Sequence, residues 1–170
     1  MANNGEFDGE GIRIREVQDI YPNLRRVPVV VLAMEAVVFT KDVIFEVRGW
    51  ESLKPYTIGI LRGSKFVELG TRGLKVEQVT SYRQVLLKLN SGRTDVAVMA
   101  RTNGMLEIGK LNMKGIRVLE PPLIRVNLYH YLHKKHERLI PKITQALREM
   151  VEKERPKEIW EQVIAEAGSK

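Results

Sequence analysis

Between Tyr56 and Leu119 short apolar runs alternate with amphipathic stretches, and this rhythm limits the possible folds more than any other feature of the chain. The runs Tyr56–Leu61, Val76–Val79, Asp95–Met99 and Ile116–Leu119 have the length and β-branched content of strands and are bounded by polar residues. Helices are expected over Lys65–Leu69, over the stretch that places Val85, Leu86 and Leu89 on one face, and over Asn103–Leu111. Thr80 and Ser81 offer hydroxyls to cap the second of these, and Asn90-Ser91-Gly92 stops it. Strands that alternate with helices imply a mainly parallel sheet covered on both faces.

The flanks read differently. Ile12-Arg13-Ile14-Arg15 alternates like a short strand, Tyr21-Pro22-Asn23 makes a turn, and the Val-rich stretch Val27–Thr40 supplies one or two strands with a buried face. Residues 46–54 form a polar connector around Gly49-Trp50. Pro121-Pro122 is expected to break the α/β run, with a strand over Val126–Leu132 leaving it. A helix follows with Pro141 in its first turn and Ile143, Leu147, Met150 and Val151 on one face. Pro156 opens a last helix through Ile159, Trp160, Val163 and Ile164. The two flanks are expected to belong together, apart from the central block.

Composition narrows the function classes. With 44% hydrophobic and 29% charged residues the chain is globular, not disordered. The longest apolar run, Val27 to Val38, is interrupted by Pro28 and Glu35 and falls short of the roughly 20 residues of a membrane span. Without Cys there are no thiolate metal sites, redox motifs or thiol nucleophiles. The net charge of +7 favours anionic partners. Its basic residues are scattered, with small pairs at Arg25-Arg26 and Lys134-Lys135, so no nucleic-acid arm is expected. The opening Met-Ala-Asn-Asn-Gly-Glu-Phe-Asp lacks an apolar core and does not read as a signal peptide.

Among local motifs, Ile58-Gly59-Ile60-Leu61-Arg62-Gly63-Ser64-Lys65 is the most informative. A strand, a Gly turn and a hydroxyl at a helix start can aim backbone N–H groups at an anion. The order Ser64-Lys65 and the spacing of the glycines exclude a Walker A loop, and Ser64 is equally suited to be a plain N-cap. His130, His133 and His136 recur every third residue across a strand-to-helix junction with no acidic ligand attached, so a solvated junction is expected and no metal. Asp8-Gly9-Glu10 is expected to be a turn, and Met105, Met113 and Met150 core fillers. No catalytic triad or carboxylate pair stands out, so no enzyme and no cofactor is expected.

Tyr56–Ser64, then the helix ending Leu86-Leu87-Lys88-Leu89-Asn90-Ser91-Gly92-Arg93-Thr94-Asp95-Val96-Ala97-Val98, then a crossover strand and closing helices, resemble the type II periplasmic solute-binding proteins of ABC importers, more narrowly extracellular solute-binding family 3. The resemblance implies an α/β fold with a complete second lobe over 55–122 and an incomplete first lobe over 1–54 and 123–170, which lacks its N-terminal part. It implies non-catalytic binding of a small anionic solute, a carboxylate or amino-acid-like molecule, by hinge closure. It further implies an ABC transporter membrane subunit as partner and a periplasmic or extracellular location. The ligand-facing positions carried over are Arg13, Arg15, Leu61, Ser64, Lys65 and Arg101. Ala100 stands where amino-acid binders of the family place an Asp, and Arg13, Lys65 and Arg101 around one cleft favour an anion. The incomplete lobe implies self-association or segment exchange. The alternatives are a truncated or degenerate sensor or interaction domain that binds no ligand and, on the same scaffold, a dehydratase-like enzyme.

Overall fold

The computed structural model describes residues 1–168, which divide by their contacts into two units. One joins Met1–Ala33 to Asn127–Ala165, and the other is built on Met34–Val126. The chain passes between them inside two strands, β3 (Leu32–Thr40) and β7 (Arg117–His133).

The second unit orders its strands β3, β6 (Val96–Ala100), β4 (Ile58–Leu61) and β5 (Val76–Val79). β6 is parallel to β4 and β4 to β5, as the strand–helix alternation predicts. β3 runs antiparallel to β6, with Ala36 opposite Ala100 and Thr40 opposite Val96, so the sheet is mixed and not simply parallel. Pleating sends alternate residues to opposite faces. One face sets Val38, Ile58, Ile60, Val96 and Val98 against Val47, Leu53 and Val67. The other sets Val37, Phe39, Ala97 and Met99 against Val85, Leu86 and Leu89 of helix α3 (Tyr82–Asn90). Residues 34–54, grouped by the sequence with the first lobe, therefore pack here with the second unit. α3 starts as its sequence demands, with Gln84 N–H donating to Ser81 Oγ.

In the first unit, the end of β7 pairs antiparallel with β1 (Gly9–Ile14) and with β2 (Leu24–Arg26). Helix α5 (Ile140–Glu152) lays Ile140, Ile143, Leu147 and Val151 on Val27, Val29 and Leu132. Met150 falls a residue short of that i, i+4, i+8 stripe and is exposed. Met105 is exposed as well, and of the three methionines expected in the core only Met113 is partly buried against it. A last helix, α6, spans Arg155–Gly168, with Trp160 half-buried and Ile159 and Val163 exposed; the Ile164 side chain lies outside the described residues.

Two local expectations are corrected, and one short element is added. Pro121-Pro122 does not interrupt β7, which continues through it, since an extended backbone tolerates Pro wherever its missing N–H is not needed for pairing. A one-turn helix, α1 (Val17–Ile20), precedes the Tyr21 turn and buries Val17. The turn expected at Asp8-Gly9-Glu10 is the start of β1, where Gly9 lies so close to β7 that a Cβ would stand 2.2 Å from the Tyr131 carbonyl oxygen.

Helix α4 (Arg101–Lys110) begins two residues before the expected start and packs Gly104 on the fully buried Phe39 ring. A Cβ there would stand 2.2 Å from Phe39 Cζ. Alanine would gain up to about 1 kcal/mol of helix propensity. Overpacking a closed core costs about 1–3 kcal/mol, so the clash wins. Gly104→Ala should lower the unfolding free energy by that net loss, seen as a lower urea midpoint, and an unchanged or raised midpoint would contradict the packing.

Candidate functional site

Because β4 and β6 are parallel neighbours with Ile60 opposite Val98, their carboxyl ends lie side by side. Ligands of α/β sheets bind outside such carboxyl ends. Leu61 closes β4, and the chain turns at Gly63, whose φ of +86° suits glycine. Ser64 and Lys65 then open helix α2 (Lys65–Gly70). β6 ends at Ala100, and Arg101 is the first residue of α4. Leu61, Ser64, Lys65 and Arg101 thus share one end of the second unit's sheet.

Ser64 makes no side-chain cap bond, contrary to the N-cap expectation. Glu68 takes that place: Gly63 N–H donates to its Oε1 at 2.6 Å and Lys65 Nζ to its Oε2 at 2.8 Å. The Lys65 ammonium, followed by the Gly63 N–H, holds the Glu68 carboxyl below its ordinary range. The anion at this turn is therefore one the chain itself provides.

Arg101 is engaged on two sides. Its Nη1 and Nη2 donate to the two oxygens of Glu120 at 2.7 and 3.0 Å, and its Nε donates to Glu35 Oε2 at 2.8 Å. Glu120 and then Glu35 raise the guanidinium's affinity for its proton, and Arg101 in turn holds the Glu120 carboxyl low.

In the first unit, Arg13 lies on β1 with its Nε 2.6 Å from Glu10 Oε2 and its Nη1 donating to the Ile12 carbonyl at 3.2 Å. Arg13 and Glu10 line a concavity of about 400 Å³ together with Met1, Phe7 and Gly11. Tyr131, fully buried, donates its hydroxyl to a site shared by the Ile14 and Arg15 carbonyl oxygens, 2.9 Å from each, and burial pushes the phenol up to about 12. This fixes the backbone that carries Arg15, whose exposed side chain forms no ion pair among the described residues.

The candidate residues thus fall into two sets, Arg13 with Arg15 on or beside β1 in the first unit, and Leu61, Ser64, Lys65 and Arg101 at the carboxyl ends of β4 and β6 in the second. The sequence does not single out the carboxylates of Glu10, Glu35, Glu68 and Glu120 as partners of these cations. Glu10 and Glu68 stand three residues from their partners and were visible in the sequence; Glu35 and Glu120 are distant in sequence from Arg101.

The three histidines do not converge. His130 Nδ1 lies 2.9 Å from the Gly11 carbonyl, buried His133 accepts the Lys135 N–H on Nδ1, and His136 Nε2 lies 2.7 Å from Asp8 Oδ1. Burial, ahead of the neighbouring cations, pushes the His133 ring to a lower pKa. Among the described residues no group of three His, Asp or Glu side chains is placed to hold a metal ion, and no helix is long and apolar enough to cross a membrane.

No protein-family model and no curated protein sequence matches the chain. Solved structures do. Holo ArgBP from T. maritima superposes with a TM-score of 0.70 at 18% identity over 88% of this chain and 66% of its own. The substrate-binding protein of an amino acid ABC transporter gives 0.73 at 15% identity over 95% of this chain and 72% of its own. A histidine kinase sensor domain with similarity to periplasmic binding proteins gives 0.79 at 15% identity over 95% and 71%. The chain spans about two thirds to three quarters of the length of these proteins and shares their fold.

Asp8, which Lys135 Nζ reaches at 2.9 Å, ties the N-terminal segment to the 3-10 turn (Lys134–Leu139) that follows β7. Lys135 and then His136 pull its carboxyl from 3.8 down to about 2. A lowered folded pKa contributes stability that is present above the unfolded value and lost as pH falls through the folded one. Wild type should therefore exceed Asp8→Asn in urea midpoint near neutral pH, with the gap closing between about pH 4 and 2. A gap that stays constant over that window would show that the carboxylate does not act as a latch.

Proposed function

We propose that this chain, which has the fold of the periplasmic binding proteins, is a non-catalytic binding module for a small anionic solute, a carboxylate or an amino-acid-like molecule. In this reading it serves an ABC transporter, in the periplasm or outside the cell, and its two lobes, bounded at Ala33/Met34 and Val126/Asn127 and not at 54/55 and 122/123, close on the ligand by hinge motion. The observation that carries the reading is the shared position of Leu61, Ser64, Lys65 and Arg101 at the adjoining carboxyl ends of β4 and β6. Arg13 and Arg15 are proposed as the ligand contacts of the other unit.

The internal carboxylates are compatible with this role. The Arg13–Glu10 pair is partly exposed, and such pairs contribute only about 0–1 kcal/mol. A ligand carboxylate that pairs bidentately with Arg13 can replace Glu10 at small cost. Arg101 retains N–H donors beyond those given to Glu35 and Glu120. The same pairs argue against a dehydratase-like role, because Glu68 and Glu120 are held ionised by their cations and make poor proton donors near neutral pH.

A sensor module is the second reading, favoured by the likeness to a histidine kinase sensor domain at a TM-score of 0.79. The two readings differ in partner, so retention by a detergent-solubilised importer membrane subunit supports the first. Self-association belongs to the same proposal. Among the described strands β1 pairs only with β7, and Phe7 beside it is exposed.

Isothermal titration with a panel of carboxylates and amino acids should find at least one binder, and Arg13→Ala should weaken it about tenfold, equivalent to about 1.4 kcal/mol. Binding to none, or an affinity indifferent to Arg13→Ala, Lys65→Ala and Arg101→Ala together, would refute the site. Light scattering should give a mass above 19.5 kDa, and a monodisperse monomer would remove self-association.

A further inference from the structure

We infer that Arg101 is an electrostatic clasp on the two strands through which the chain enters and leaves the second unit. Glu35 lies in β3 immediately after the Ala33/Met34 passage, and Glu120 lies in β7 ahead of the Val126/Asn127 passage. One guanidinium holds both, with Nε on Glu35 and the planar fork on Glu120. Its backbone is placed for this by the β3–β6 ladder, since Ala36 opposite Ala100 brings Glu35 level with Arg101.

Helix α4 does not account for an arginine here. A cation in the first turn faces the positive end of the helix macrodipole and is disfavoured there. The two carboxylates reverse that sign, and together they exceed the charge of the arginine they surround. Apolar cover does not hold the group in place either, because Arg101 is 32% exposed, Glu35 33% and Glu120 58%. Charges open to solvent to this degree are screened by salt. The clasp is thus a device whose grip on both passages depends on ionic strength, which a purely packed contact would not show. It stands on this geometry independently of the proposed ligand.

Hydrogen–deuterium exchange of the full chain, read by mass spectrometry at about 20 mM and about 500 mM NaCl, tests it. In wild type, peptides over 32–36 and 117–126 should exchange about threefold faster at the higher salt. In Arg101→Met they should be fast at both concentrations, and Arg101→Lys, which keeps the charge and loses the fork, should be intermediate and still respond to salt. Should Arg101→Met fold poorly, Glu120→Gln at its exposed position should accelerate 117–126 alone. Equal exchange at both passages in wild type and variants, or acceleration spread evenly through β4 and α3, would overturn the clasp.

Discussion

Strand β6 is the element on which the second unit depends. Val96, Ala97, Val98, Met99 and Ala100 are all essentially inaccessible to solvent, and the strand is paired on both sides, by β3 and by β4. A strand so placed cannot carry a polar side chain on either face, which is why its sequence is a continuous apolar run and not an alternation. Each buried valine or methionine contributes about 1.5–3 kcal/mol relative to exposure, so the strand is also a large part of what stabilises the unit. The first residue it releases to solvent is Arg101. The position of that arginine is therefore set by a strand buried along its whole length and paired on both sides.

Charge in this chain is organised in local neutral groups, not in a basic field. Arg13 is matched with Glu10, Lys65 with Glu68, and Arg101 with Glu35 and Glu120. The net charge of +7 suggested cations waiting for an anion, yet three of the four cations selected as ligand contacts already have one. These pairs orient the side chains, and because they are partly open to water they can be broken without leaving an unpaired buried charge.

How much of this was legible depended on the range of the interaction. Helix α3 could be read from Ser81, from the spacing of Val85, Leu86 and Leu89, and from the stop at Gly92, because capping and amphipathic period are encoded within a few residues. The same holds for α5, with Pro141 in its first turn. The direction of β3 is not encoded locally, since Val37, Val38 and Phe39 would serve a parallel or an antiparallel neighbour equally. The sequence divides β7 into two pieces because Pro121-Pro122 is a strong local stop signal, which the pairing of the strand overrides. In the candidate site, the fold family and the sheet end were accessible through the strand–turn–helix string at Ile58–Lys65, whereas Glu35 meets Arg101 only after the ladder has brought residues 66 positions apart together.

The division of the chain also separates its tryptophans. Trp50 packs against the core of the second unit, with its indole against Gly70, and Trp160 lies on α6 of the first. These are the only two indoles in the sequence. Indole fluorescence, excited at wavelengths that tyrosine does not absorb, from a chain carrying Phe in place of one of them therefore originates in a single unit, so unfolding of either half can be followed optically without attaching a label.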